Sequence, residues 1–195
     1  MDEQSVREAP VHAGRQEIAA RSGWQSHQEM RETSDSDVFF EDLLHVVLTE
    51  RFVSDNASIC ASLAASAEVR QHWYEICELS ASHHARFHAI FDRHRIETGF
   101  ADCKAIKGLF RGGRADLIYT ESSHIKDFRL VAFGERLVSH TLALCGTTAK
   151  LASRFGFSEE ANFIRTAMDE KIAYLDRLGK VGDSCLWTGT GDFTL

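Results

Sequence analysis

Proline is almost absent from this sequence: a single one, Pro10, occurs in 195 residues. Proline interrupts helices because it lacks a backbone N–H and clashes with the preceding turn, so its scarcity permits long helices along most of the chain. The sequence also contains only three tyrosines and three tryptophans, and aromatic residues are among those enriched in strands. We therefore predict an all-α fold.

An excess of positive charge is also missing. The chain has 22 Lys and Arg against 29 Asp and Glu, a net charge of −7, which argues against a nucleic-acid-binding surface and against binding to anionic membrane. No apolar run approaches the roughly 18 residues of a membrane span, and the first residues lack the apolar segment of a signal peptide. We predict a cytoplasmic protein that binds neither nucleic acid nor membrane.

The sequence has no C-x-x-C pair. Most of its scattered cysteines fall within apolar helical patterns, where a free thiol behaves as a small apolar side chain. We interpret them as reduced core residues rather than as a zinc or redox site. The five are Cys60, Cys77, Cys103, Cys145 and Cys185.

The longest apolar pattern that is present covers residues 125–157. Its apolar side chains recur at steps of three and four, which predicts a long helix that buries one stripe. Gly156 predicts the end of this helix, and Ser158 followed by two glutamates predicts the start of the next.

Three further segments have the pattern of long helices: 38–65, 67–97 and 158–180. Gly179 predicts the end of the last of them. The connection 98–124 contains one short helix at CKAIKGLF, which Gly112 and Gly113 should break. We predict a four-helix bundle over residues 38–180 with a crossover that carries a short helix. Residues 1–35 are expected to form a disordered arm, and residues 181–195 an irregular tail.

Histidines near acids, or near each other, are the first candidate ligands. Asp42 with His45, and Glu121 with His124, have acid-x-x-His spacing, but both pairs lie near helix starts and are better explained by helix-terminus chemistry. His84 and His88 are four residues apart, so they can chelate a metal from one helix face. The alternative is a partly solvated helix face.

Three stretches also resemble a known family. CKAIKGL at 103–109, CGTTAKLASRFGF at 145–157 and the opening FEDLLHVVLTERF are similar to motifs of the YciE/YciF-type ferritin-like stress proteins. The resemblance covers about residues 38–180. It implies a ferritin-like bundle, a relationship to the di-iron carboxylate proteins and a homodimer.

The family's pattern of metal-ligating carboxylates is incomplete in this chain. The predicted helix 38–65 offers Asp55, and the predicted helix 67–97 offers Glu78. Ala81 stands three residues after Glu78, where the family's pattern has a second ligand. The alignment from Gly146 onward has no gap, and it places apolar, hydroxyl or basic residues where the other acids are expected. These positions are Val138, Thr141, Lys171 and Leu175.

Two carboxylates do not hold two divalent ions in an apolar interior. The resemblance therefore implies a degenerate di-metal site, with no catalytic residue and no cofactor, and a non-enzymatic, stress-associated binding or assembly protein. The alternative is a ferroxidase-like protein that binds iron or another divalent metal at a rearranged carboxylate and histidine site.

Lysine is rarely buried without a partner because desolvating its ammonium is costly. We therefore hypothesise that Lys171 takes the space of the absent cation and pairs with Glu78, Asp55 or both. The alternative is that Lys171 extends to the edge of the bundle and keeps its charge in water.

The homodimer implied by the resemblance has a second argument. Three apolar residues of the crossover, Ile106, Leu109 and Phe110, are expected to be exposed and available to a second copy. The alternative is that these side chains cover the end of their own bundle.

Overall fold

A computed structural model describes residues 34–98 and 102–187, and the described residues form five helices and no strand. No helix in this part of the chain is both long enough and apolar enough to cross a membrane. The all-α prediction is confirmed. The helices are α1 (Asp35–Leu63), α2 (Ala67–His94), α3 (Lys104–Ile118), α4 (Ser123–Arg154) and α5 (Ser158–Trp187).

Helix α1 begins earlier than the sequence predicted. The Ser34 hydroxyl accepts a hydrogen bond from the Asp37 N–H at 3.3 Å, and the Asp37 carboxylate accepts one from the Ser34 N–H at 3.0 Å. This capping box satisfies two helix-terminal donors, so residues 34 and 35 belong to the bundle and not to the predicted arm. The other residues of that arm, 1–33, lie outside the described residues.

The turn between α4 and α5 has the predicted form. Gly156 has a φ of 86°, a left-handed conformation that favours glycine. The Phe157 N–H donates to the Ala152 carbonyl at 2.8 Å, which closes a Schellman-type end to α4. Helix α5 then begins at Ser158. The sharp reversal holds α4 and α5 side by side as a helical hairpin.

The crossover helix α3 is longer than predicted, because it continues through Gly112 and Gly113 to Ile118. Ile106 and Phe110 are buried, at 0% and 4% exposure. The expectation that they are exposed for a second copy was therefore wrong, and the alternative is correct: they cover one end of their own bundle. Helix α2 ends at His94, ahead of the predicted end at 97.

Helix α5 also extends past its predicted end. It does not stop at Gly179 but continues to Trp187, so the predicted irregular tail is helical up to that point. Val181 is buried beyond the glycine, and a Cβ on Gly182 would contact Val131 of α4. This packing on α4 keeps the segment helical. Residues 188–195 lie outside the described part of the chain.

Neighbouring helices run antiparallel. Asp127, near the start of α4, accepts hydrogen bonds from the backbone N–H groups of Ala65 and Ser66 at the end of α1. At the other end, the Phe39 ring of α1 stacks on Phe157 after α4. Helices α1 and α4 therefore point in opposite directions, and the short turns between α1 and α2 and between α4 and α5 reverse the chain at each end.

The core is divided into two apolar clusters along the bundle axis. The lower cluster includes Val53, Trp73, Phe133 and Tyr174, together with the crossover residues. The upper cluster includes Phe39, Phe87 and other residues from the first half of α1, the second halves of α2 and α4, and the first half of α5. On each long helix, the residues between the two clusters include a buried polar side chain. That central layer is the candidate site.

Candidate functional site

The central layer contains one buried polar group or more from each long helix. Glu50 comes from α1, Ser80 and His83 from α2, Thr141 from α4 and Lys171 from α5, and each is at most 1% exposed. Each occupies a helix position whose neighbours three or four residues away are core residues, so helical periodicity turns the side chain inward. The bundle thus holds a polar layer between two apolar ones.

Lys171 and Glu50 form a buried ion pair at the centre of this layer. The Lys171 Nζ lies 3.1 Å from Glu50 Oε2, with side-chain exposures of 1% and 0%. The Ser80 hydroxyl is 3.5 Å from the same ammonium. An uncompensated charge at this depth is strongly unfavourable. Glu50 can be buried as a carboxylate because Lys171 is beside it, and the same holds for the Lys171 ammonium.

His83 connects this pair to the edge of the bundle. Its Nε2 lies 2.6 Å from Glu170 Oε2 of α5, and its Nδ1 lies 3.5 Å from Glu50 Oε1. Because an ionised carboxylate only accepts hydrogen bonds, Nε2 carries the proton in the bond to Glu170. The contact to Glu50 is too long for a regular hydrogen bond.

Glu170 is held from outside by Arg86, whose Nη1 is 3.0 Å and 3.1 Å from the two carboxylate oxygens. The Arg86 guanidinium also lies over the Phe163 ring, 4.6 Å from its centroid. Glu170 lines an open cleft of about 490 Å³ together with Glu75, Glu78, Tyr174 and Arg177. The chain of groups from Glu50 through His83 to Glu170 therefore runs from the interior to solvent.

The charges of the layer keep both carboxylates ionised. Burial alone raises the pKa of Glu50, but the attraction of Lys171 and His83 and the Ser80 hydroxyl outweighs it, and the pKa is below its ordinary value. Burial likewise raises the pKa of Glu170, and its hydrogen bonds to His83 and Arg86 reverse the direction. With one cation beside each carboxylate, the layer is close to neutral before any metal is added.

This arrangement does not fit a di-metal centre. Hard divalent ions need several oxygen ligands. The fully buried polar side chain that α4 contributes to this layer is Thr141, whose hydroxyl donates to the Leu137 carbonyl of the same helix, and Val138 is apolar. The α5 residue that faces Glu50 is Lys171, and its ammonium repels other cations. Within the described residues, no three His, Cys, Asp or Glu side chains are arranged to hold a metal ion.

Two predicted remnant ligands are not part of the layer. Asp55 is exposed, with 62% of its side chain accessible, and lies 3.7 Å from Arg51 of its own helix. Glu78 is exposed at the cleft. Lys171 is buried and paired as hypothesised, but the proposed partners were wrong, because its carboxylate is Glu50.

Glu50 and His83 are the residues that sequence reasoning missed. Glu50 lies three residues after Val47 and three before Val53, both of them buried, so the apolar register of α1 was the signal that could have found it. His83 lies next to other histidines of the same helix, such as His84 and His88. Their spacing alone does not predict which of these side chains points into the bundle.

The other histidine candidates lie outside the layer. His84 is half-buried beside His88, and their ring centroids are 6.1 Å apart. His45 and His124 are exposed on the surface, and the His124 ring lies 3.1 Å from the Ser122 hydroxyl at the start of α4.

The model of the family described as "Domain of unknown function (DUF892)" matches residues 34–186. Protein YciF of Escherichia coli (strain K12) is 27% identical over 71 residues, which are 36% of this chain and 43% of YciF. The aligned part of the chain thus spans less than half of that relative.

Two solved structures share the fold. The crystal structure of the E. coli stress protein YciF has a TM-score of 0.73 and 19% identity, and the match covers 78% of this chain and 97% of that one. YcfI from Rhodopseudomonas palustris has a TM-score of 0.72 and 17% identity over 79% of this chain and 97% of its own. At these identities the likeness concerns the fold alone.

Proposed function

Because the chain belongs to the DUF892 family, we propose that it is a non-enzymatic member with a degenerate di-metal site, a stress-associated binding or assembly protein of the cytoplasm. In this proposal a lysine in the interior takes the place of the bound cation that the resemblance to the di-iron carboxylate proteins implies. The bundle then acts as a scaffold whose central layer is complete without metal or other cofactor.

The observation that carries this proposal is the pair of Lys171 and Glu50, 3.1 Å apart and shielded from solvent. An ammonium at this position neutralises the one fully buried carboxylate of the layer. A divalent ion beside it would meet like charge in a medium that screens charge weakly. Binding metal would therefore require Lys171 to leave the layer or lose its proton.

The alternative is a ferroxidase-like protein with a rearranged carboxylate and histidine site. The observation in its favour is that the Glu50 and Glu170 carboxylates lie 3.5 Å and 2.6 Å from the two ring nitrogens of His83. In its simplest form, iron would bind between Glu50 and His83 and be oxidised there.

An iron titration separates the two. The untagged protein, carrying His84→Gln and His88→Gln to remove surface histidines, is titrated with ferrous iron without oxygen and then exposed to air. We expect no saturable site and no faster iron oxidation than in buffer. One tightly bound iron per chain, or catalysed oxidation, would contradict the proposal.

A gain of metal binding provides the positive control. In the same background, Lys171→Glu replaces the internal cation by a third acid close to Glu50 and His83. We expect manganese, which prefers carboxylate ligands, to raise the melting temperature of this variant and to leave the background protein unchanged. A manganese-dependent rise in the Lys171→Glu variant alone would mean that Lys171 prevents metal binding in the parent protein.

Association as a homodimer remains a prediction. It rests on the family resemblance, because Ile106 and Phe110 are buried and Leu109 is partly buried against the core. Ile118 and Tyr119 at the end of α3 are 71% and 85% exposed and are the apolar side chains of that region left to a second copy. Sedimentation velocity of a monomer at tens of micromolar would contradict it.

A further inference from the structure

The exposed side of α2 carries a second group of histidines, distinct from the central layer. His84 and His88 are one helical turn apart, and their ring centroids are 6.1 Å from each other. Side chains at this spacing lie on one helix face, and two histidines four residues apart are a recurrent way for a helix to chelate a transition metal. Both rings are partly accessible to solvent.

The His84 ring is free to act as a ligand. A neutral imidazole has a free lone pair for a metal. Within the described part of the chain, no hydrogen bond engages a ring nitrogen of His84, so its lone pair is available.

The His88 ring is oriented by an acid on the same helix. Its Nδ1 lies 3.4 Å from Asp92 Oδ2, a weak contact that still favours the proton on that nitrogen. The other nitrogen, Nε2, is then the lone-pair donor. A carboxylate behind a ligating histidine is a regular feature of metal sites, because it fixes the ring and raises its basicity.

The electrostatic surroundings contain charges of both signs. Asp55 and the buried Glu50, both on α1, are negative charges near His84, and Arg51 of α1 is a positive one. Asp55 is also close to Arg51, at 3.7 Å. Each carboxylate has a cation of its own, Arg51 beside Asp55 and Lys171 beside Glu50, so these charges neither attract nor repel an ion at His84 strongly.

We propose that His84 and His88 form a surface site for a late first-row divalent cation such as Zn²⁺, with water completing its coordination. Imidazole nitrogen suits these ions, whereas hard ions prefer oxygen ligands. The site is mononuclear and open, and it differs in place and ligand type from the central layer. It therefore stands or fails independently of the proposed function.

The test is calorimetric titration of the untagged full chain with Zn²⁺ at neutral pH, and thermal unfolding with and without the ion. We expect one saturable site per chain and a higher melting temperature in zinc, because an ion held by two turns of a folded helix binds the native state preferentially. Removing both ligands by His84→Gln and His88→Gln should abolish the saturable binding and the rise in melting temperature.

Two control variants make the result specific. His45→Gln with His124→Gln removes two other exposed histidines and should leave zinc binding unchanged. His88→Ala with Ala89→His keeps the number of histidines but breaks the spacing, so it should bind zinc as weakly as the double glutamine variant. Circular dichroism verifies that each variant is folded.

A central-layer variant separates this site from the interior. Glu50→Gln with Lys171→Met should keep the zinc site, because neither residue is a ligand there. Zinc binding that survives the loss of His84 and His88, or that is the same in the displaced-histidine variant, would overturn the proposal.

Discussion

Lys171 is the residue on which the central layer depends. Its ammonium is buried beside one carboxylate, Glu50, and moving either charge from water into an apolar interior costs several kcal/mol. The attraction between the two offsets that cost, so the intact pair contributes little net stability. The pair matters because losing one partner leaves the other charge buried and uncompensated.

A double-mutant cycle tests this dependence. Lys171→Met should lower the free energy of unfolding by about 3–5 kcal/mol, because it leaves the Glu50 carboxylate without a cation. Adding Glu50→Gln should restore much of the loss, since the coupling between paired residues is about 1–3 kcal/mol. Urea unfolding of the four proteins measures both quantities.

The matched control for this cycle uses the two acids first predicted as partners. Lys171→Met combined with Asp55→Asn and Glu78→Gln should be no more stable than Lys171→Met alone, because both acids are exposed. Recovery in this variant, or no loss in Lys171→Met, would contradict the assignment of Glu50.

The sequence predicted the burial of Lys171 but not its partner, and the reason is physical. The alignment with the family has no gap after Gly146, and it places Lys171 where the family carries an inward glutamate. Helix α1 has no such fixed point. A helix of 3.6 residues per turn leaves several acids of α1 near the apolar stripe, and only packing selects Glu50 over Asp55.

At the scale of elements, glycine identified one helix end, at Gly156, and suggested others that the structure does not have. Gly112–Gly113 and Gly179 were read as helix ends, but α3 and α5 continue through them. A glycine also occurs inside a helix where another element approaches closely. Gly113 is such a case, because a Cβ there would overlap the Phe133 ring of α4, whereas Gly112 faces open space.

These two neighbouring glycines therefore predict opposite effects. Gly113→Ala should destabilise the protein by about 1–3 kcal/mol, because the added methyl group forces α3 away from α4. Gly112→Ala should stabilise it by up to about 1 kcal/mol through helix propensity. Thermal unfolding of both variants checks the prediction, and equal effects would mean that α3 does not pack on Phe133 as described.

At the scale of the whole molecule, the sequence predicted the architecture well. Long stripes without proline, joined by a short reversal and one crossover, are consistent with few folds other than a four-helix bundle. The division of the core into two apolar clusters around a charged layer was not predicted. It arises where polar positions on four separate helices come to the same level, and helix periodicity does not encode that alignment.

The central claim is that an internal lysine replaces the cation in this bundle. Anomalous X-ray diffraction at the iron absorption edge, from crystals equilibrated with ferrous iron without oxygen, tests it most directly. We expect the Lys171 Nζ within ion-pair distance of Glu50 and no anomalous peak in the central layer. An iron peak between Glu50 and His83, with the Lys171 side chain displaced, would contradict the claim.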